Sequence, residues 1–333
     1  MAPVLDDLYL RPAARTWRCP PAPPVADFHR ALPGYAPTPL VELPALAAEL
    51  GADRVLAKDE TRRLGLPAFK ILGASWGIRR ALEHGGAARL VTATDGNHGR
   101  AVAAVARMLG LEARVFVPAG VHPAARAAIR DEGAEVVDVP GPYDEAVRRA
   151  AAEPGLLVQD TAWPGYEDVP RWIVEGYSTL FAEIDAQLGG APDLLSIPVG
   201  VGSLAQAAVT HYRSGGAAST TLLSVEPDTA ACVLESLRRG RPVTVPAGRT
   251  IMAGLNCATP SSLAWPYLRD GLDAAVAVPD GAAARAVHDL AALGVPAGPC
   301  GGASLAGARA AGDLARGTVV LLITEGADAN PAV

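Results

Sequence analysis

Ile197-Pro198-Val199-Gly200-Val201-Gly202-Ser203-Leu204-Ala205 is the stretch on which the fold class turns. The apolar run Leu194–Pro198 stops at it, and the Ala-rich segment Leu204–Arg213 starts from it. A strand, a glycine-rich loop and a helix in that order turn the first helical N–H groups toward the strand's carboxyl end. That arrangement is an anion site. Gly200 and Gly202 permit close backbone approach and Ser203 adds a hydroxyl, so the loop suits a phosphate. The same alternation extends in both directions. Apolar runs lie at Arg89–Ala93, Ala113–Val117, Glu135–Val139, Leu156–Gln159, Leu222–Glu226, Ala275–Val278 and Val319–Thr324. Helical patterns separate them at Asn97–Leu109, Pro123–Glu132, Tyr143–Glu153, Val169–Leu188 and Ala282–Leu293. Such alternation predicts βαβ units and an α/β fold with parallel sheets. The runs lack polar alternation, as strands covered by helices on both faces do. Four of the runs fall between about Ala87 and Gln159, enough for a smaller sheet of their own. The proline-rich first 35 residues read as an extended arm on the surface.

The loop alone leaves two ligands open. Gly200-x-Gly202-x-x-Ala205 also matches a dinucleotide fingerprint, and the run ending in Glu226 lies at the spacing of a ribose-binding acid. An NAD-dependent dehydrogenase is therefore the rival from another class, and other segments have to discriminate.

One of them contains a lysine in a chain nearly without lysines. Of 29 basic residues only Lys58 and Lys70 are lysines. Arginine's guanidinium stays protonated and does not form an imine, so a retained lysine merits inspection. Lys58-Asp59-Glu60 reads as a local ion cluster. Lys70, in Pro67-Ala68-Phe69-Lys70-Ile71-Leu72-Gly73-Ala74-Ser75, sits where a helix over Ile71–Leu82 should begin. A helix amino terminus disfavours an ammonium, which predicts a lowered pKa and a nucleophilic amine. An ordinary surface lysine at a helix start is the alternative.

The other is Thr92-Ala93-Thr94-Asp95-Gly96-Asn97-His98-Gly99, again a strand end, a turn and a helix start. Its N–H groups suit a carboxylate. Asp95 places a negative charge beside that site, which is sensible for a ligand that also carries a cation. Capping of the following helix is the alternative role for Asp95.

Composition narrows the classes. The net charge is −6 with no basic block, which argues against nucleic acid. Met1–Leu10 carries Asp6 and Asp7 and does not read as a signal peptide, and no apolar stretch is long enough for a bilayer span. A cytoplasmic protein without membrane partners is expected. Cys19, Cys232, Cys257 and Cys300 form no CxxC pair, so no metal site is expected.

Together these segments resemble the fold-type-II pyridoxal-phosphate (PLP) enzymes, and among them most nearly the diaminopropionate ammonia-lyases. The resemblance is carried by Arg63–Lys70, Thr92–Gly99, Gln159-Asp160-Thr161-Ala162-Trp163, Val225–Cys232, Thr250–Cys257 and Thr324-Glu325-Gly326. It implies two open, twisted, mostly parallel sheets with flanking helices and the cofactor in an interdomain cleft. Residues 1–84 and 160–333 would form the larger domain and 85–159 the smaller. It implies that Lys70 carries PLP and shuttles the Cα proton. Asn97 would bond the ring oxygen, and Gly200, Val201, Gly202, Ser203 and Leu204 would take the phosphate. Gly254 would line the ring edge and Thr324 face the pyridine nitrogen. Asp95 and Asp160 would receive a second amino group of the substrate, with proton transfer open to either, beside Gly96 and His98. The implied reaction is α,β-elimination of ammonia from 2,3-diaminopropionate or a related β-substituted alanine, giving pyruvate and ammonia through aminoacrylate, in a homodimer. Cys232 and Cys257, both in matching stretches, would approach each other near the site and could pair. Two features depart from the pattern. The chain is short between Lys70 and Asp95, and Pro299-Cys300 stands where these enzymes usually have Glu-Ser, as in the cysteine-bearing loop of serine dehydratases. A serine/threonine-type dehydratase or a β-replacement enzyme is thus the alternative within the class.

Overall fold

Runs rich in Val, Leu and Ile pair wherever the chain can cover them on both faces, and here they do so twice. The structure, a computed structural model, describes residues 8–215 and 219–329. The signal-peptide reading of the amino terminus falls mostly on residues 1–7, outside the described residues. Strands β1 (Tyr9–Leu10), β2 (Leu40–Glu42), β3 (Arg54–Asp59), β8 (Leu194–Pro198), β9 (Thr221–Pro227), β10 (Ala274–Val278) and β11 (Thr318–Ile323) make a seven-stranded sheet ordered β1-β10-β9-β8-β11-β3-β2. Strands β4 (Arg89–Ala93), β5 (Glu112–Pro118), β6 (Glu135–Val139) and β7 (Leu156–Leu157) make a four-stranded sheet ordered β6-β5-β4-β7. Every pairing is parallel except β1 with β10 and β2 with β3, both at sheet edges. All of β8 and β9 is buried, as strands covered on both faces require.

The strand order locates the site. In the large sheet the connection from β8 runs one way to β9, while β11 lies on its other side. In the small sheet β4 leads to β5 on one side and meets β7 on the other. Both are topological switch points, where a crevice opens at the carboxyl ends of parallel strands. The loops at those ends are 199–203 after β8, 324–326 after β11, 94–97 after β4 and 158–160 after β7.

Three expectations are corrected. The amino-terminal arm is more than extended chain: β1 pairs with β10, and the short helix Ala26–Arg30 buries His29. The helical pattern Val169–Leu188 is two helices, Asp168–Gly176 and Ser178–Leu188. They part where the chain presses on the helix Lys70–His84: a Cβ on Gly176 would lie 2.5 Å from the Leu72 carbonyl oxygen, and one on Gly73 2.5 Å from Tyr177. The run read as a local ion cluster is the end of β3, and Lys58 is buried there. Its Nζ pairs with Glu183 Oε2 at 2.7 Å, across 125 residues of sequence, and burial lowers its pKa against the pull of Glu60 and Glu183. Among the described residues no helix is long and apolar enough to cross a membrane.

Candidate active site

Lys70 is the first residue of the helix Lys70–His84, and the segment before it is stitched to the end of β11. Ala68 bridges Glu325, the Phe69 N–H donates to the Thr324 carbonyl at 3.3 Å, and the Gly326 N–H donates to that of Pro67 at 2.9 Å. Lysine and Thr324 are thus fixed to one frame. Upstream, Arg63 and Leu66 exchange backbone hydrogen bonds around Leu64 (φ 51°) and Gly65 (φ 81°). Two left-handed residues in a two-residue loop make a type I′-like hairpin turn, which costs a leucine about 1–2 kcal/mol.

Opposite Lys70, at the end of β7, stands Asp160, with Oδ2 2.7 Å from Lys70 Nζ. This pair overturns the expectation of a lowered lysine pKa. Burial is the largest influence and disfavours the ammonium, but the Asp160 carboxylate, together with Tyr177 and Cys257, holds Lys70 above the usual lysine range. Burial likewise opposes the Asp160 charge, and Lys70 and His98 hold it well below the usual carboxylate range. Asp95 moves the other way. Burial and the neighbouring Asp160 charge push it up to about 6, against the pull of Lys70. Two carboxyl groups in one cleft with diverging pKa values form the pattern of an acid and a base.

Asp95 does not cap the helix Asn97–Leu109. Thr94 Oγ1 takes that role, accepting from the N–H groups of Gly96 (2.9 Å) and Gly99 (3.0 Å). His98 is buried. Its Nε2 donates to the Val158 carbonyl at 2.8 Å, and Nδ1 lies 3.8 Å from Asp160 Oδ2 with no hydrogen-bond partner. Asn97 donates from Nδ2 to Glu325 Oε2 at 2.6 Å.

The glycine loop lies on the far wall. Gly202 has φ 101°, a left-handed value that glycine tolerates, and a Cβ there would fall 2.5 Å from Leu268 Cδ1. A side chain introduced at Gly202 would therefore disturb the fold as well as any anion. At Gly200 a Cβ would meet Cys257 Sγ at 3.0 Å and the Gly254 carbonyl oxygen at 3.1 Å, and at Gly254 it would meet Cys300 Sγ at 3.3 Å. Ser203 and Leu204 open the helix Ser203–Arg213, and Ser203 Oγ donates to the Asp160 carbonyl at 3.3 Å. Val201 is held through its carbonyl by the Ser261 N–H at 2.9 Å.

Thr324 Oγ1 is buried without a hydrogen-bond partner, which is rare enough to call for a missing one. That orphan hydroxyl, the bare glycine loop at a helix start and the half-buried lysine fit the pyridine nitrogen, phosphate and carbonyl carbon of PLP. They do not fit a dinucleotide. Glu226, the acid that reading needs for a ribose, is fully buried and accepts the N–H groups of Val233 and Leu234, each at 2.7 Å. Burial pushes its pKa up to about 8, against the pull of those two N–H groups.

Cys232 and Cys257 both approach Gly200, as expected of neighbours, but they do not pair. All four cysteines are free, and Cys232 Sγ–H is directed at the Gly200 carbonyl at 3.8 Å. Several site residues escaped the sequence reading. Gln159, fully buried, accepts the Ala93 N–H at Oε1 (3.0 Å) and donates from Nε2 to the Tyr143 hydroxyl (2.6 Å). Tyr177 is fully buried under Lys70 with its hydroxyl unpartnered. The polar-aromatic signature of Tyr143 was visible only as a helix start. A groove of about 770 Å³ between His84, Arg89, Leu156 and Trp172 lies at the amino ends of β4 and β7.

Comparison with known proteins agrees with this geometry. Residues 31–325 match the family model for pyridoxal-phosphate dependent enzymes. A diaminopropionate ammonia-lyase of Salmonella typhimurium is 37% identical over 298 residues, covering 79% of this chain and 74% of that protein. A biosynthetic L-threonine dehydratase of Mycobacterium bovis is 31% identical over 310 residues, covering 90% and 71%. The crystal structure of Escherichia coli diaminopropionate ammonia-lyase in complex with D-serine superposes with a TM-score of 0.87 at 30% identity, covering 97% of this chain and 94% of that one. With a match from Ala31 to Glu325 and relatives this similar over most of their length, the chain belongs to the pyridoxal-phosphate dependent enzymes.

Proposed function

We propose that this enzyme eliminates ammonia from the β-carbon of 2,3-diaminopropionate, or the β-substituent of a closely related alanine, leaving aminoacrylate, which water hydrolyses to pyruvate and ammonia. The observation that carries the reading is the pair Asp95 and Asp160 beside Lys70, because an amine departs well only as an ammonium and needs a carboxyl group close to Cβ. Lys70 Nζ would hold PLP and move the Cα proton. Gly200 to Leu204 would bind its phosphate through backbone N–H groups, Thr324 would face the pyridine nitrogen, Asn97 the ring oxygen, and Gly254 would line the ring edge. Bound there, PLP would supply the electron sink that acidifies Cα–H. Asp95, with its pKa near 6, receives the β-ammonium as a carboxylate and is able to exchange a proton with it. Asp160 keeps its negative charge and orients Lys70 Nζ. Gly96 and His98 complete the substrate side of the cleft. Residues 85–159 are assigned to a smaller domain and 1–84 with 160–333 to a larger one, in a cytoplasmic homodimer. The two sheets support the division, and the family resemblance supports the dimer.

A panel of amino acids scored for pyruvate and ammonia release tests the substrate. Turnover of diaminopropionate well above serine is expected. Activity on serine or threonine but none on diaminopropionate would move the enzyme to the dehydratases, a reading favoured by Cys300, whose thiol packs against Gly254. Borohydride trapping and peptide mapping should place the cofactor on Lys70, and a label on Lys58 would overturn the assignment.

A further inference from the structure

Thr324-Glu325 ends β11 with two side chains of opposite status. The Thr324 hydroxyl has no protein partner, whereas the Glu325 carboxylate is engaged at both oxygens. Glu325 is 2% exposed. Its Oε2 accepts from Asn97 Nδ2 at 2.6 Å, and its Oε1 accepts from the Cys300 N–H at 3.2 Å. Asn97 begins a helix of the small-sheet unit, and Glu325 belongs to the large-sheet unit, so this bond crosses the cleft.

The chemistry of the pair is directional. An ionised carboxylate only accepts hydrogen bonds, so it dictates which end of the Asn97 carboxamide faces it. A flip would set Oδ1 against a carboxylate oxygen. The carboxylate is itself held at the start of the helix Pro299–Ala310. Pro299 has no N–H to offer, which leaves that of Cys300 as the first available donor, at the positive end of the helix. Gly298 is required beneath it, since a Cβ there would lie 3.2 Å from Glu325 Oε1 and 2.7 Å from the Gly326 carbonyl oxygen.

We infer that Glu325 is a positioning residue: it fixes the orientation of the Asn97 carboxamide and, through it, the hydrogen bond that Asn97 gives to the ring oxygen of PLP. The inference rests on the assignment of Asn97 to that oxygen, made above. One dipeptide would then govern both polar edges of the ring, Thr324 directly and Glu325 through Asn97.

The test is a double-mutant cycle on PLP affinity and on the absorption maximum of the bound cofactor, neither of which involves the substrate. Glu325→Ala should weaken PLP binding by about tenfold and shift the absorption band, as loss of a charge-assisted contact implies. Glu325→Gln, which keeps an acceptor, should recover part of both and carries the cycle if the alanine variant fails to fold. In an Asn97→Ala background the Glu325 substitutions should change neither quantity, because the group through which Glu325 acts is gone. Equal losses with and without Asn97, or an unchanged band and affinity in Glu325→Ala, would overturn the inference and leave Glu325 as a link between the sheets. Normal affinity and spectrum in Asn97→Ala alone would overturn it by removing the Asn97 assignment. A substrate other than diaminopropionate would leave these readouts untouched.

Discussion

At the residue scale the substrate assignment turns on Asp95. Thr94 already caps the helix, so the stability role open to Asp95 in the sequence is taken by its neighbour. Replacing the Asp95 carboxylate by an amide keeps its shape and removes its charge. Such a charge-assisted contact is worth roughly 1.5–3 kcal/mol, so Asp95→Asn should lower kcat/KM for diaminopropionate by at least about tenfold. The pH dependence has a definite sign. Asp95 binds an ammonium only when ionised, and it loses its proton as pH rises through about 6. Wild-type kcat/KM should therefore climb across that range. The substrate's own titration contributes equally to both proteins, so the part of the climb absent from Asp95→Asn belongs to Asp95. Profiles that superimpose after scaling would reject the role. Lysine and aspartate were legible in the sequence because few residue types can do their chemistry. Their protonation was not, because it depends on Asp160, 90 residues from Lys70.

At the scale of elements, the loop that carries Lys70 is anchored by a buried ionic network. Glu183, on the helix Ser178–Leu188, accepts from Lys58 of β3 and from Arg63, whose Nη1 lies 2.7 Å from Glu183 Oε1. Arg63 also pairs with Glu60 at 2.6 Å, and Tyr35 donates to Glu183 at 2.6 Å. Two cations and two anions balance, so truncation at Glu183 would strand buried charge. Glu183→Ala should cost about 3–5 kcal/mol in urea unfolding. A cost below about 1 kcal/mol would mean that the network is solvated. His29 ties the amino-terminal helix to the same core through Thr179 Oγ1 (2.6 Å) and the Leu72 carbonyl (2.9 Å). Burial lowers its pKa to about 4. The unfolded chain takes up that proton near pH 6.5, so the stability tied to neutral His29 is present above 6.5 and lost as pH falls toward 4. Between pH 7 and 4.5 this loss amounts to about 2–3 kcal/mol, and His29→Gln should lack it. An identical acid loss in both proteins would contradict the assignment. None of these partnerships is readable from local pattern. A charged run masked β3, and a histidine among prolines gave no periodicity, because both are explained by contacts distant in sequence: 125 residues from Lys58 to Glu183, and 43 and 150 from His29 to Leu72 and Thr179.

Across the whole molecule, two sheets meet at their switch points, and polar links join the loops there, among them Lys70 with Asp160, Asn97 with Glu325, and Ser203 with the Asp160 carbonyl. Strand–helix alternation made the two sheets legible, since period and run length are local properties. The closure of the cleft was not, since it joins loops that share no pattern. A ligand seated between the sheets adds its binding energy to the stability of the native state. At a hundredfold excess over Kd that is about 2.7 kcal/mol, or roughly a 4 °C rise in Tm for a chain of this size. The helix start at Ser203 and the bare loop before it predict that much of the gain comes through the phosphate. Cofactor-free protein should therefore gain several degrees with PLP, and more with pyridoxamine 5′-phosphate than with pyridoxamine, a pair that shares the ring, has no aldehyde and differs only in the phosphate. Scanning calorimetry with each compound at equal concentration separates the contributions. Equal shifts with the two pyridoxamines would mean that the ring contacts hold the ligand without the loop, and the reading of Gly200 to Leu204 as the phosphate cradle would have to be withdrawn.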